Sequence, residues 1–449
     1  MIVPRINSER LGDWFGKLAL ALLLLSFFFA PLNTLRFGGV AIGDFFVMGL
    51  ICLVPVSILV WGLPRKTVPG WMLISAALFA GSLVLTLIFP FEYDQSLYER
   101  LTRVGDPYSS SVVIWVRLVF AVLVFPMVVA LLVRDQGRLK WIAAAWVAGV
   151  SLSCLVALID AGLGTHIQEK VSYDAFVVRG YMGIWADVTE YERFVGLTDH
   201  PNTLGITAAM AAPITVVWMN SLRRLAVAGP VLMLLVIGVF LSGSRAALVG
   251  LLAAGAAVLF LYRKPILAWV KGIFAVRKTR IGFVAVVSVL LVGLVAVTAF
   301  AVSQDRIGAI GDSVTLERIF DPDSAKLSNQ ERTTSLQAGI DAVAASPVTG
   351  SSYIWIESPH NIVLGLLMSG GVLALAAWIW AMVGYLRTGF AAQGRVPATI
   401  RSLVVASTAS LLAYAVMSPL VNQSFNRYLY LPAALLMAIQ VLLRREGAD

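Results

Sequence analysis

Apolar runs recur along this chain, each near the length at which a helix crosses a bilayer. They can be drawn at 18–31, 45–61, 70–89, 112–133, 141–160, 201–219, 230–243, 246–262, 281–302, 361–386, 402–418 and 428–443. Lipid offers no partner to an open backbone N–H or C=O, so such runs are expected to be helices. The fold class that follows is an all-α polytopic membrane protein with about twelve transmembrane helices. Composition agrees: 59% of residues are hydrophobic and 13% charged, against roughly 25% charged in an average soluble chain. The runs 230–243 and 18–31 are short for a hydrocarbon core of about 30 Å, so tilt or added loop residues are expected there.

The first run follows Arg5, Arg10 and Lys17 and ends at Ala30-Pro31 with no small-x-small cleavage site, which reads as a retained span. Cys52 and Cys154 both lie in apolar runs and are expected to be packing residues. The net charge of +9 is scattered through short loops and forms no basic domain, which argues against a nucleic-acid partner. It carries topology instead. One set of loops holds Arg65, Lys66, Arg134, Arg138, Lys140 and the dense group from Arg263 to Arg280, together with both chain ends. The positive-inside rule puts that set, and both termini, in the cytoplasm. The long polar segments 161–200 and 303–360 then fall on the outer face. Their arginines suit an anionic ligand there.

The expected organisation is 1–200 with five helices and an outer loop, 201–302 with four helices, 303–360 as a large outer loop, and 361–449 with three helices. No internal repeat or soluble accessory domain is evident. Within the large loop, Thr333 to Ala345 reads as an amphipathic helix with Leu336, Ile340 and Val343 on one face, ended by Ser346-Pro347 and Gly350.

The histidines, His166, His200 and His360, all fall on the outer side. His360 stands in Ser358-Pro359-His360-Asn361, where the large loop re-enters an apolar run. Its neutral imidazole fits a general base taking a proton from an attacking sugar hydroxyl. The local sequence by itself somewhat favours the other reading, a helix cap assisted by Asn361. His200, in Asp199-His200-Pro201-Asn202, precedes a proline that favours extended backbone, so it and Asn202 read as structural or substrate-lining. His166 has no supporting pattern. Arg245 sits at the tight turn Leu241 to Ala247, where a charge is costly without a partner, and either clamps an anion or snorkels to headgroups. Arg332 begins the loop helix against its dipole and either binds an anion or pairs with a nearby acid such as Glu331. Arg117 lies several residues inside its span, an intramembrane charge with the same two readings. Together the three arginines suit a diphosphate. No metal-ligand spacing, phosphate loop, nucleophile elbow or dinucleotide fingerprint occurs.

A His-Pro-Asn element before a span (200–202), a Ser-Arg turn between two spans (244–245), and a loop with an early Arg332, a Pro-x-x-Gly turn (347–350) and a closing His360-Asn361 occur in that order. In this the chain resembles the O-antigen ligase and polymerase superfamily of bacterial polysaccharide assembly, over about 195 to 386. The resemblance implies a GT-C-like, metal-independent glycosyltransferase of the inner membrane. It would need no cofactor and would use a glycan on undecaprenyl diphosphate at the periplasmic face. It maps the base onto His360 and diphosphate binding onto Arg245 and Arg332; Arg117, His200 and Asn202 rest on the local reading alone, and Asn361 is read as a candidate substrate-lining residue. The leading expectation is an O-antigen ligase with lipid A-core oligosaccharide as acceptor, surrounded by membrane lipids. A polymerase of the same superfamily is the near rival. A transporter is the non-enzyme rival, disfavoured because ionisable residues gather at one face and no repeat is seen.

Overall fold

The computed structural model describes residues 8–37, 40–62, 68–89, 107–163, 167, 194–218, 222–261, 263, 326–353, 359–421 and 426–446. Helix α1 (Ser8–Phe29) is followed by a two-residue antiparallel ribbon, β1 (Arg36–Phe37) with β2 (Val40–Ala41), then α2 (Ile42–Trp61) and α3 (Gly70–Ile88). Helix α4 (Pro107–Val119) passes through a π-helical turn, Phe120–Val124, into α5 (Phe125–Leu132), and α6 (Gln136–Leu163) follows. Next come α7 (Pro201–Thr215), α8 (Leu222–Leu241), α9 (Arg245–Leu261) and α10 (Lys326–Ala345). The chain closes with α11 (Ile362–Ala392), α12 (Ala398–Met417) and α13 (Leu431–Glu446), with 3-10 turns at Ser418–Leu420 and Arg427–Tyr430.

Eight of these stretches are long and apolar enough to span a membrane: Gly12–Phe29, Ile42–Trp61, Gly70–Ile88, Ser111–Leu132, Gln136–Leu163, Ile362–Ala392, Ala398–Leu420 and Arg427–Arg445. Ala226–Leu241 and Arg245–Leu261 are shorter apolar helices, and α7 has 15 residues. The expected run 281–302 lies outside the described residues. The short run 18–31 becomes a full span because α1 begins at Ser8, its polar first turns continuing the helix before the apolar stretch.

The centre of the bundle is α7. Every residue from Pro201 to Thr215 is buried, among α6, α8, α9 and α12. A helix hidden on all sides needs small side chains to let backbones approach, and Thr-Leu-Gly-Ile-Thr-Ala-Ala-Met-Ala-Ala supplies them. Its hydroxyls bond inward: Thr207 Oγ1 donates to Thr203 O at 2.7 Å. On the neighbouring α12, Ser410 Oγ donates to Met210 O at 2.6 Å.

The π-helical turn has a chemical cause. Pro126 has no N–H to give the carbonyl of Val122, four residues earlier. Tyr385 of α11 makes good the loss, its hydroxyl donating to Val122 O at 2.6 Å.

Helix α11 has 31 residues, about 46 Å of rise, while the 19 residues of α3 rise about 28 Å. The two run antiparallel. Trp71 meets Tyr385 edge to face, Ser75 Oγ donates to Ala377 O at 2.7 Å, and Thr86 Oγ1 donates to Ser369 O at 3.4 Å. Residues 362–368 of α11 therefore overhang the end of α3. Gly370 and Gly371 are non-helical at the base of the overhang.

Candidate functional site

The site is built where three helices begin. His200 ends the segment Phe194–His200, which is laid on α6 by Leu197 N–H donating to Ser153 Oγ at 2.9 Å. The His200 carbonyl accepts the first helical bond of α7, from Leu204 N–H at 3.2 Å. Its Nδ1 accepts the N–H of Asn202 at 3.0 Å. The imidazole thus caps α7, with Pro201 in the first helical position, where its missing donor does no harm. With Nδ1 engaged as an acceptor, the neutral ring carries its proton on Nε2 and presents a donor there. Asn202 is buried.

The turn between α8 and α9 is packed directly against this start. Gly243 adopts φ 59°, Ser244 Oγ accepts Ala247 N–H at 3.4 Å, and Ser244 O accepts Leu248 N–H at 3.2 Å. Ser244 is therefore the cap of α9 and Arg245 its first residue, half-buried. A cation there opposes the helix dipole, whereas an anion beside it is favoured by both the dipole and the guanidinium. A Cβ at Gly205 would lie 2.4 Å from Ser242 Oγ and 2.7 Å from Ala247 Cβ. The His-Pro-Asn and Ser-Arg elements are thereby brought together.

Helix α10 differs from the expectation at both its start and its packed face. It begins at Lys326, so Arg332 lies in its second turn and not at its start; a dipole effect confined to the first turn no longer bears on it. Leu336 and Ile340 are 39% and 47% exposed. The packed side carries Gly339, Ala342 and Val343, where a Cβ on Gly339 would lie 2.6 Å from Leu364 Cδ2 of the α11 overhang. Helix packing is decided here by the residue that lets two backbones approach, not by the largest apolar side chains.

After α10 the turn Pro347–Gly350 fits into the break of α11. Val372 N–H donates to Pro347 O at 3.1 Å and Ser351 N–H to Met368 O at 2.6 Å, so backbone groups around the break find partners in the turn. Gly350 and Gly371 take φ 67° and 65°. Tyr353, beyond the turn, is fully buried; its hydroxyl meets Ser82 Oγ at 2.5 Å, and its N–H donates to Ser111 Oγ at 3.1 Å. Burial holds its phenol well above the usual range, with the Ser82 bond opposing, so it stays neutral.

At the tip of the overhang two roles are divided between neighbours. Asn361 caps α11, its Oδ1 accepting Leu364 N–H at 3.0 Å. His360, one residue earlier and half-buried, has φ 49°, a left-handed value uncommon outside glycine, though one that histidine adopts more often than most residues. The hydrogen-bonded cap of α11 is thus Asn361. A residue held in a sparsely populated backbone region marks a place where geometry is imposed.

These helix starts share one end of the bundle. A Cβ at Gly250 of α9 would lie 2.2 Å from Met417 Sδ at the end of α12, and the turn Ser418–Leu420 that follows packs on α11. Arg117 stands apart from them. It is exposed on the flank of α4, six residues below Ser111. His166 and the side chain of Arg332 lie outside the described residues. Among the described residues no group of three or more His, Cys, Asp and Glu gathers as a metal site requires.

One feature of this end was missed in the sequence. Arg427 forms an ion pair with Asp44 of α2, and Tyr428 beside it donates to Thr203 Oγ1 of α7 at 3.4 Å. The only signal was a lone acid and a lone base at the edges of distant apolar runs.

Comparison with known families finds that residues 230–379 match the model of the family described as O-Antigen ligase. The matched stretch runs from α8 into α11 and includes Arg245, Arg332 and His360. No curated protein matches the chain.

Proposed function

We propose, from the O-antigen ligase domain at residues 230–379, that this membrane protein transfers an O-antigen glycan from undecaprenyl diphosphate to lipid A-core oligosaccharide. The reaction would take place at the periplasmic face of the inner membrane, without a metal or other cofactor. The observation that carries the reading is the presence, at one end of the bundle, of an arginine that opens a helix and a histidine held at φ 49° directly before the cap of another.

In this reaction the acceptor hydroxyl attacks the anomeric carbon and its proton passes to the imidazole of His360. The new C–O bond forms as the bond to the diphosphate oxygen breaks. The electron pair leaves with undecaprenyl diphosphate, and the anomeric centre inverts. Arg245, aided by the start of α9, meets the charge growing on the departing diphosphate, a preorganised interaction of the kind that often supplies the largest catalytic contribution. Arg332 acts on the same group. Arg117, exposed on α4, meets the donor as it arrives from the lipid. His200, Asn202 and Asn361 line the path of the glycan.

The test is transfer by purified protein in detergent, with a glycan on undecaprenyl diphosphate and either core lipid or a lipid-linked repeat unit as acceptor. Glycosylated core lipid is the expected product. Elongated lipid-linked polymer would make the protein a polymerase. No product with either acceptor, alongside movement of lipid-linked glycan in sealed vesicles, would make it a transporter.

A further inference from the structure

The ion pair between Asp44 and Arg427 has no part in the reaction above, yet it is withdrawn from water at the same end of the bundle. The side chains of Arg427 and Asp44 are 21% and 34% exposed. Charges so placed have given up part of their hydration, and each is met by the other. Asp44 has a local reason for its position, since a carboxylate in the first turn of α2 complements the helix dipole. Arg427 begins its own 3-10 turn, where a cation has no such reason. Asp44 is what holds it. The neighbouring Gly43 makes room, because a Cβ there would lie 3.2 Å from Arg427 Nη2 and 3.1 Å from Phe29 O.

The residue after Arg427 reaches the site. Tyr428 is buried, and its hydroxyl donates to Thr203 Oγ1 at 3.4 Å. Thr203 is fully buried in the first turn of α7, directly after Asn202. Two consecutive residues thus tie the start of α2 to the capped start of α7. On the proposed reading of His200 and Asn202 as substrate-lining, we infer that Asp44 and Arg427 are a positioning pair. The pair fixes the turn Arg427–Tyr430, keeps Tyr428 on Thr203, and so sets the orientation of His200 and Asn202. Neither residue touches the reacting atoms.

The experiment uses the full chain in detergent with Arg427→Gln, and Arg427→Lys as the milder variant should the first fail to fold. One readout is transfer. Arg427→Gln is expected to lower kcat/KM about tenfold or more, with Arg427→Lys, which keeps the charge, recovering most of the loss. The second readout does not depend on activity. In a Cys52→Ala/Cys154→Ala background, Asn202→Cys is expected to react slowly with maleimide while Arg427 is present. It should react about tenfold faster once the pair is broken. Unchanged labelling in both variants overturns the inference, as does full activity of Arg427→Gln. A wild-type protein that transfers nothing would defeat the proposed reaction alone, and the labelling would still decide on the pair.

Discussion

At residue 360 the proposed reaction sets stability and activity against each other. Asn361 supplies the cap of α11, while His360 bears the left-handed backbone, which costs of order 1–3 kcal/mol in a residue other than glycine. His360→Gly is therefore expected to leave the thermal midpoint unchanged or higher, while transfer falls about a hundredfold or more with the base removed. Near-normal transfer by this variant would take His360 out of the base role. Arg245 presents the same opposition on the proposed reading, since it stands where the dipole of α9 repels it. At the other end of the bundle arginines serve the fold. Arg445 donates to Val133 O at 3.1 Å, and Arg138 donates to Gly16 O at 3.1 Å. Arg134 lies 3.8 Å over the ring of Trp61; burial, with the charge of Arg445, lowers its pKa to about 10, so it remains charged at neutral pH. Residue types alone did not separate these uses. An arginine that answers a helix carbonyl and one that opens a helix look alike until the helix ends are in place.

Helix α11 is two pieces joined across a kink, into which a turn from outside it fits. The Gly370-Gly371 pair sits inside a run that the sequence offers as one uninterrupted span, and its meaning emerges only with the turn Pro347–Gly350 that fills the break. A Cβ on Gly371 would lie 1.9 Å from Val348 O. Gly371→Ala is thus expected to expel the turn, at about 2 kcal/mol or more from the clash and the φ of 65° together. Hydrogen exchange should show the loss first at the amides of Val372 and Ser351, and Gly394→Ala, with open space around its Cβ, should leave both protected. Protected amides in Gly371→Ala would mean that the turn does not depend on this contact. The helix in the large loop was foreseen with its end at Ala345, but its packed face was not. Periodicity favours Leu336 and Ile340 because they are large, while contact with α11 is governed by Gly339, which has no side chain to register in such a pattern.

For the whole molecule, hydropathy made the helical class and most span positions legible, because lipid imposes length and satisfied backbone on any crossing segment. The helix starts at His200-Pro201, Ser244-Arg245 and Asn361 were legible as well, since caps and prolines act locally. The ion pair of Asp44 with Arg427 was not, because nothing in either neighbourhood points to the other. Sidedness is open to direct measurement. With Cys52→Ala/Cys154→Ala, a cysteine at Val348, 56% exposed, should react with an impermeant maleimide applied outside the inner membrane, whereas one at the exposed Gly394 should not. The reverse pattern would invert the bundle and remove the arginine set from the outer face. The bond from Tyr385 to Val122 adds an order of events. The two residues are 263 positions apart, and at about 5–20 residues per second a ribosome needs on the order of ten to fifty seconds to travel between them. For that interval the span from Ser111 to Leu132 is in the membrane with a carbonyl to which Pro126 can donate nothing and which Tyr385 has yet to reach. The phenol that completes it arrives only with α11, so an early part of this chain is finished by one of its last.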